Sequence, residues 1–131
     1  MKAQGHGRII NINTEGVEWI QSPFGAYSAS KAALQNATRV MAYELGIYGI
    51  RVNGVHPGPM LTDGLRAHLA GLAVERGVSV DEVTTEWASQ FALRFIPEPS
   101  QVADAVVLLA AERAAAISGQ SIFVNGGHWF N

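Results

Sequence analysis

The chain contains no cysteine, which excludes disulfides, thiol nucleophiles and cysteine metal sites. It has no strong excess of either charge: nine Lys and Arg stand against eleven Asp and Glu, a net charge of −2. That balance does not point to a nucleic acid or an anionic membrane as partner. It has no long apolar run either. The "VVLLAA" near the C-terminus is far too short to span a bilayer. "MKAQGHGRIININTEG" at the start does not read as a secretory signal, so a reducing cytoplasm is the default expectation. What is present is globular: 131 residues, 48% hydrophobic and 15% charged, most simply one domain with a real core.

Strand and helix signals alternate along the chain. "RIINI" (Arg8 to Ile12) is a short β-branched run and reads as a buried strand. The loop "TEGVEWIQSPFG" follows. Tyr27 to Tyr48 reads as one long helix with Gly49 placed to stop it. Leu34, Ala37, Met41 and Leu45 recur on it at spacings of three and four, which predicts a buried stripe. "IRVNGV" (Ile50 to Val55) reads as a second strand, and "HPGP" as a turn. Thr62 to about Arg94 reads as two helices split at Gly77, with "SVDE" (Ser79 to Glu82) as a capping box. A further helix begins with Pro99 in its first turn, and "SIFVNGG" (Ser121 to Gly127) is a third strand running into a glycine turn. Helices between short buried strands predict an α/β fold with parallel strands and right-handed crossovers.

Lysine is scarce, with two in the chain, yet one of them follows a tyrosine by four positions in "GAYSASK". On a helix, Tyr27 and Lys31 share a face. A free phenol is a poor base at neutral pH, and a nearby ammonium favours its phenolate. A phenol so assisted can give a proton to a carbonyl oxygen or take one from an alcohol, which complements hydride transfer at a nicotinamide. The spacing alone identifies nothing, because an exposed Tyr–Lys contact is the commoner outcome. Its neighbours decide.

Those neighbours resemble the short-chain dehydrogenase/reductase family. "GRIINI" is similar to the family's fifth strand, and "YSASKAAL" to its Tyr-x-x-x-Lys helix. "ELGIYGIRVNGVHPGPMLT" resembles the segment that ends this helix and runs through a strand into Pro-Gly-x-x-x-Thr. "EPSQVADAVVLLAAERAAAISGQSIFVNGG" resembles the last helix and final strand. The resemblance implies the C-terminal half of a Rossmann-like doubly wound parallel sheet, about three strands with crossover helices. It implies NAD or NADP as cofactor, and an alcohol/ketone pair as small-molecule substrate. Tyr27 would be the proton donor or acceptor, and Lys31 would favour its phenolate and bond the nicotinamide ribose. The family's substrate-orienting serine, thirteen positions before the tyrosine, corresponds to Thr14, which keeps the hydroxyl and adds a methyl. The other reading of Thr14 is that it ends the strand. Pro57 and Gly58 would form the turn beside the nicotinamide, with the Met60 N–H and the Thr62 hydroxyl on its carboxamide. Asn53 and His56 are read as structural, His6 and His68 as surface residues, and no metal site is expected.

The family's glycine-rich phosphate turn, its Asn-Asn-Ala-Gly segment and its ribose-reading residue have no counterpart in these 131 residues. "GHG" at Gly5 to Gly7 precedes a strand and opens no helix. Met1 falls where an internal methionine of the family would sit, so the expectation is a truncated chain or one part of a complex. The first strand should then have an uncovered edge. Two functions compete: an NAD(P)-dependent oxidoreductase with little or no activity in this form, and a catalytically silent unit that folds or oligomerises. The family pairs through the Tyr–Lys helix and the last strand, so a homodimer or homotetramer is expected. The segment after Thr62 reads as a helical lid that sets the substrate. Trp87, Phe91 and Phe95 would line a pocket there or, more commonly for helix-spaced aromatics, join the core.

Overall fold

The computed structural model describes residues 1–19 and 22–130. Ile20 and Gln21, in the loop read between the first strand and the long helix, lie outside the described residues, as does Asn131. Three parallel strands form the sheet: β1 (Gly7–Ile12), β2 (Ile50–Pro57) and β3 (Ser121–Val124), in the order β1-β2-β3. Gly7 pairs with Ile50 and Ile12 with Val55 on one side of β2; Gly54 pairs with Ser121 and Pro57 with Val124 on the other. β2 is two residues longer than "IRVNGV", since His56 and Pro57 continue it. A proline is tolerated there because the pairing with β1 has already ended at Val55, so no ladder bond to β1 needs its missing N–H.

Helices cover the two faces. On one face Val55 packs with Val102 and Leu109 of α4 (Pro99–Ala110), and Ile10, Ile122 and Val124 complete the cluster. Arg51, on the same strand, donates to the carbonyls of Leu109 and Ala111 at the end of α4. On the other face lies α1 (Gly25–Gly46), tied to β1 where Asn11 Nδ2 donates to the Thr38 hydroxyl at 2.9 Å. The stripe Leu34, Ala37, Met41 and Leu45 is largely but not fully buried, and Thr38 is the fully buried residue of the helix. Tyr43 and Ile47 are 89% and 82% exposed. Gly49 has φ +66, and a Cβ there would sit 2.3 Å from the Gly5 carbonyl oxygen, so the chain turns into β2 through a position only glycine fits. Among the described residues β1 has one strand neighbour, and Ile12 at its end is 49% exposed.

The segment after β2 builds its own small core. α2 (Asp63–Arg76) ends at Gly77, and α3 (Val80–Ala88) starts with the capping box read in the sequence. The Ser79 backbone N–H and hydroxyl both donate to the Glu82 carboxylate and hold it below the usual carboxylate range. Leu69, Ala73, Val83, Ile96 and Phe91 pack together, with Phe91 fully buried. The second helix stops at Ala88, short of the Arg94 expected. Beyond it the N–H groups of Ala92 and Leu93 donate to the Gly127 and Gly126 carbonyls instead of continuing a helix, and Arg94 takes φ 57. Phe91 therefore belongs to the core rather than to a pocket wall, and Phe95 lies on the turn. No helix among the described residues is long and apolar enough to cross a membrane.

His56 is fully buried against Phe123, with ring centroids 5.1 Å apart, and neither ring nitrogen has a hydrogen-bond partner among the described residues. Burial pushes its imidazole below the ordinary value of 6.5; Arg39 and Lys31 add to this, while Glu18 and the Thr14 backbone oppose it. The folded chain thus keeps His56 neutral at a pH where the unfolded imidazole takes a proton. Unfolding binds protons in that window, so stability falls as pH drops below about 6.5. Urea unfolding at pH 7 and pH 5 should show a loss for the native sequence, at most about 1.4 kcal/mol per pH unit from this group. In His56→Leu that share of the slope should vanish.

Candidate functional site

Three hydrogen bonds tie the end of β1 to its surroundings, one to β2 and two to the start of α1. Asn13 donates its backbone N–H to the Val55 carbonyl at 2.7 Å and its side-chain amide to the Lys31 carbonyl at 3.1 Å. Lys31 Nζ in turn donates to the Ile12 carbonyl at 2.9 Å and lies 5.8 Å from the centre of the Tyr27 ring. The helix spacing read in "YSASK" therefore does bring phenol and ammonium together. Phe24 stands edge-on to Tyr27 at 6.3 Å, and Tyr27 is 47% exposed.

Tyr27 opens onto a cleft of about 200 Å³ whose wall includes Thr14, Glu15, Trp19, Gly58 and Pro59. Thr14 is the N-cap of the 3-10 turn Glu15–Val17, where its hydroxyl oxygen accepts the Gly16 N–H at 3.2 Å. Thr14 does not itself end the strand, since β1 stops at Ile12; its hydroxyl proton remains available to donate in the same cleft as Tyr27. Gly58 is required by packing. A Cβ there would come within 2.6 Å of Glu15 Oε2 and 2.8 Å of the Asn125 Cβ.

A second cleft, about 470 Å³, shares Trp19 and Pro59 with the first and is lined by Met60, Thr62, Trp87, Gln90 and His128. Thr62 caps α2, its oxygen accepting the Leu65 N–H at 3.3 Å, which again leaves the hydroxyl proton to donate. The Met60 N–H donates to no group among the described residues. Two donors with no competing acceptor, in the turn after Pro57 and Gly58, fit a carboxamide such as that of nicotinamide. Tyr27 and Lys31 lie at the neighbouring cleft.

The residues that sequence reasoning missed are Glu15, Asn125 and His128. Glu15 is buried, and its carboxylate accepts Asn125 Nδ2 at 2.8 Å and meets His128 Nδ1 at 2.6 Å. Asn125 Nδ2 also donates to the Trp129 carbonyl, and Asn125 Oδ1 accepts the Gly127 N–H. The His128 ring packs against Trp19, edge-on, and against Phe91, both with ring centroids 4.8 Å away. A polar set 113 residues apart in sequence leaves no local signature. The available hint was a glutamate directly after Thr14.

A family model described as enoyl-(acyl carrier protein) reductase matches residues 1–128. The 7alpha-hydroxysteroid dehydrogenase of Escherichia coli (strain K12) is 32% identical over 127 residues, 97% of this chain and 46% of that protein. The chain belongs to the short-chain dehydrogenase/reductase family. Another member, the chloroplastic NADPH-dependent aldehyde reductase 2 of Arabidopsis thaliana, is 34% identical over 127 residues, 97% of this chain and 43% of its own length. The fold agrees. The crystal structure of L-sorbose reductase from Gluconobacter frateurii, complexed with NADPH and L-sorbose, superposes on all of this chain and half of that one, with a TM-score of 0.89 at 27% identity. The three parallel strands and their helices are thus Rossmann-like, as the motifs implied. The chain spans about half the length of the curated relatives it matches.

Glu15→Ala should be among the costly substitutions in this short-chain dehydrogenase/reductase. It leaves Asn125 Nδ2 and His128 Nδ1 without their acceptor in a buried place. The expected loss in unfolding free energy is about 2–4 kcal/mol, read by urea denaturation. Gly58→Ala should cost about 1–3 kcal/mol by overpacking the same carboxylate.

Proposed function

We propose that this chain carries the proton-transfer and nicotinamide side of an NAD(P)-dependent oxidoreductase that interconverts an alcohol and a ketone, within half of a Rossmann-like domain. The observation that carries this reading is the Tyr27–Lys31 pair on one face of α1, with Tyr27 opening onto a cleft that Thr14 also lines. The L-sorbose reductase of the same fold was crystallised as a complex with NADPH, which supports the cofactor class.

In the reductive direction the Tyr27 hydroxyl gives its proton to the carbonyl oxygen, and in the oxidative direction the phenolate takes it back. The Thr14 hydroxyl donates to the same oxygen and orients it. Lys31, anchored on the Ile12 carbonyl, holds a positive charge beside the phenol where negative charge develops. Met60 and Thr62 orient the carboxamide, and Pro57 and Gly58 shape the turn that brings them there. A nicotinamide dinucleotide bound at these residues would supply or accept the hydride.

Grip on the rest of that cofactor is the limiting term. Among the described residues no strand runs through a G-x-G-x-x-G turn into a helix, the usual seat of a pyrophosphate. With few contacts to offset the lost freedom of a large ligand, these 131 residues by themselves bind NADPH weakly. A second reading, a silent unit that pairs with a second copy, is favoured by the exposed Val40, Tyr43 and Ile47 on and beside α1 and Val107 and Leu108 on α4.

Mixing the chain with NADPH and a ketone, and following nicotinamide fluorescence and absorbance, separates the two. The oxidoreductase reading expects slow turnover, below about 1 per second, that Tyr27→Phe abolishes and Lys31→Ala reduces by at least about a hundredfold. No NADPH binding together with a stable dimer by light scattering would establish the silent unit instead.

A further inference from the structure

The Glu15–His128 pair has the geometry of an oriented imidazole rather than a surface ion pair. The 2.6 Å contact engages His128 Nδ1 with the Glu15 carboxyl group. That leaves Nε2 as the ring nitrogen open to a ligand. Trp19 and Phe91 both pack against the ring, and Asn125 Nδ2 holds the other carboxylate oxygen. Among the described residues Nε2 has no hydrogen-bond partner, and His128 lines the second cleft. Nothing in the proton transfer assigned to Tyr27 uses it.

The second cleft has a mixed wall. Trp19 and Trp87 offer two indoles, and beyond the Met60–Thr62 end assigned to the carboxamide the Gln90 carboxamide and His128 Nε2 offer donors and an acceptor. No Lys or Arg is among its lining residues, so it offers an anionic group no cation. Aromatic surface for C–H faces with neutral hydrogen-bonding groups at the edges suits a hydroxyl-rich, uncharged chain. Trp19 and Pro59 line both clefts, so a molecule whose carbonyl sits at Tyr27 extends past them toward His128.

We propose that His128 is a specificity-determining residue that accepts a hydrogen bond from a hydroxyl of a neutral polyol or ketose, with Glu15 as its positioning residue. This rests on the reading that Tyr27 addresses the carbonyl of the same molecule. A site built around such an acceptor disfavours an analogue lacking the hydroxyl, because Nε2 and Gln90 then lose water without replacement.

The test is NMR on the full chain carrying ¹⁵N-labelled histidine, with NADPH present, titrated in parallel with fructose and with 2-hexanone. Both are six-carbon ketones, and they differ in their hydroxyls. The expected result is a His128 that is protonated on Nδ1 and bare on Nε2 before titration. Its Nε2 resonance should then shift saturably with fructose and not with 2-hexanone. In His128→Phe, fructose binding followed by tryptophan fluorescence should weaken about tenfold, while Glu15→Gln should shift the wild-type tautomer balance. A proton on Nε2 in the unliganded chain, or a His128 that responds equally to both ketones or to neither, overturns the proposal. Neither readout needs turnover. A chain that consumes no NADPH and is indifferent to Tyr27→Phe refutes the hydride-transfer reading while a fructose-specific His128 shift still stands; Tyr27-dependent turnover with a silent His128 refutes this inference alone.

Discussion

A carboxylate removed from water is tolerated only where other groups replace its hydration, and in this chain the burial of Glu15 is the constraint on which the site depends. Its two oxygens are met by Asn125 and His128, so the segment after β3 is bound to the turn after β1. Thr14 precedes Glu15 and is placed by the same turn. Gly58 has no side chain because that carboxylate and Asn125 occupy the space. Trp19 packs on the histidine the carboxylate holds. The two clefts share the Trp19 wall.

The stitching of β1 to α1 plays the matching part on the other side of the cleft. Lys31 could have extended into solvent, as most lysines do. Instead it donates to the Ile12 carbonyl at the strand end, and the Asn13 amide returns a bond to the Lys31 carbonyl. These bonds fix the rotation of the first turns of α1 about its axis, and with it the direction in which Tyr27 faces. The helix has an incompletely buried apolar stripe and strongly exposed outer residues, so packing alone constrains that rotation loosely. The polar bonds at its start supply what the stripe does not.

Much of this is legible from residues. The three strands, the long helix, the break at Gly77, the capping box at Ser79 and Glu82 and the proline opening α4 all follow from local rules, because each depends on neighbours within a few positions. Asn53 reads as structural, and its side chain does bond the Ile117 carbonyl and the Gln120 N–H. His56 reads as packing, and it is fully buried. The errors lie where a distant segment competes for backbone groups. Ser89 to Arg94 carries no proline or glycine and reads as helix, but the carbonyls of Gly126 and Gly127 take the N–H groups of Leu93 and Ala92.

The sequence by itself determined the family, the parallel α/β order and the pairing of Tyr27 with Lys31, because a four-residue spacing on a helix is a short-range geometric fact. It could not determine that Glu15 would be buried against Asn125 and His128, or that two clefts would meet at Trp19 and Pro59. Those facts join residues more than a hundred positions apart, and only the folded sheet, which carries the ends of β1, β2 and β3 to one edge, brings them within hydrogen-bonding distance.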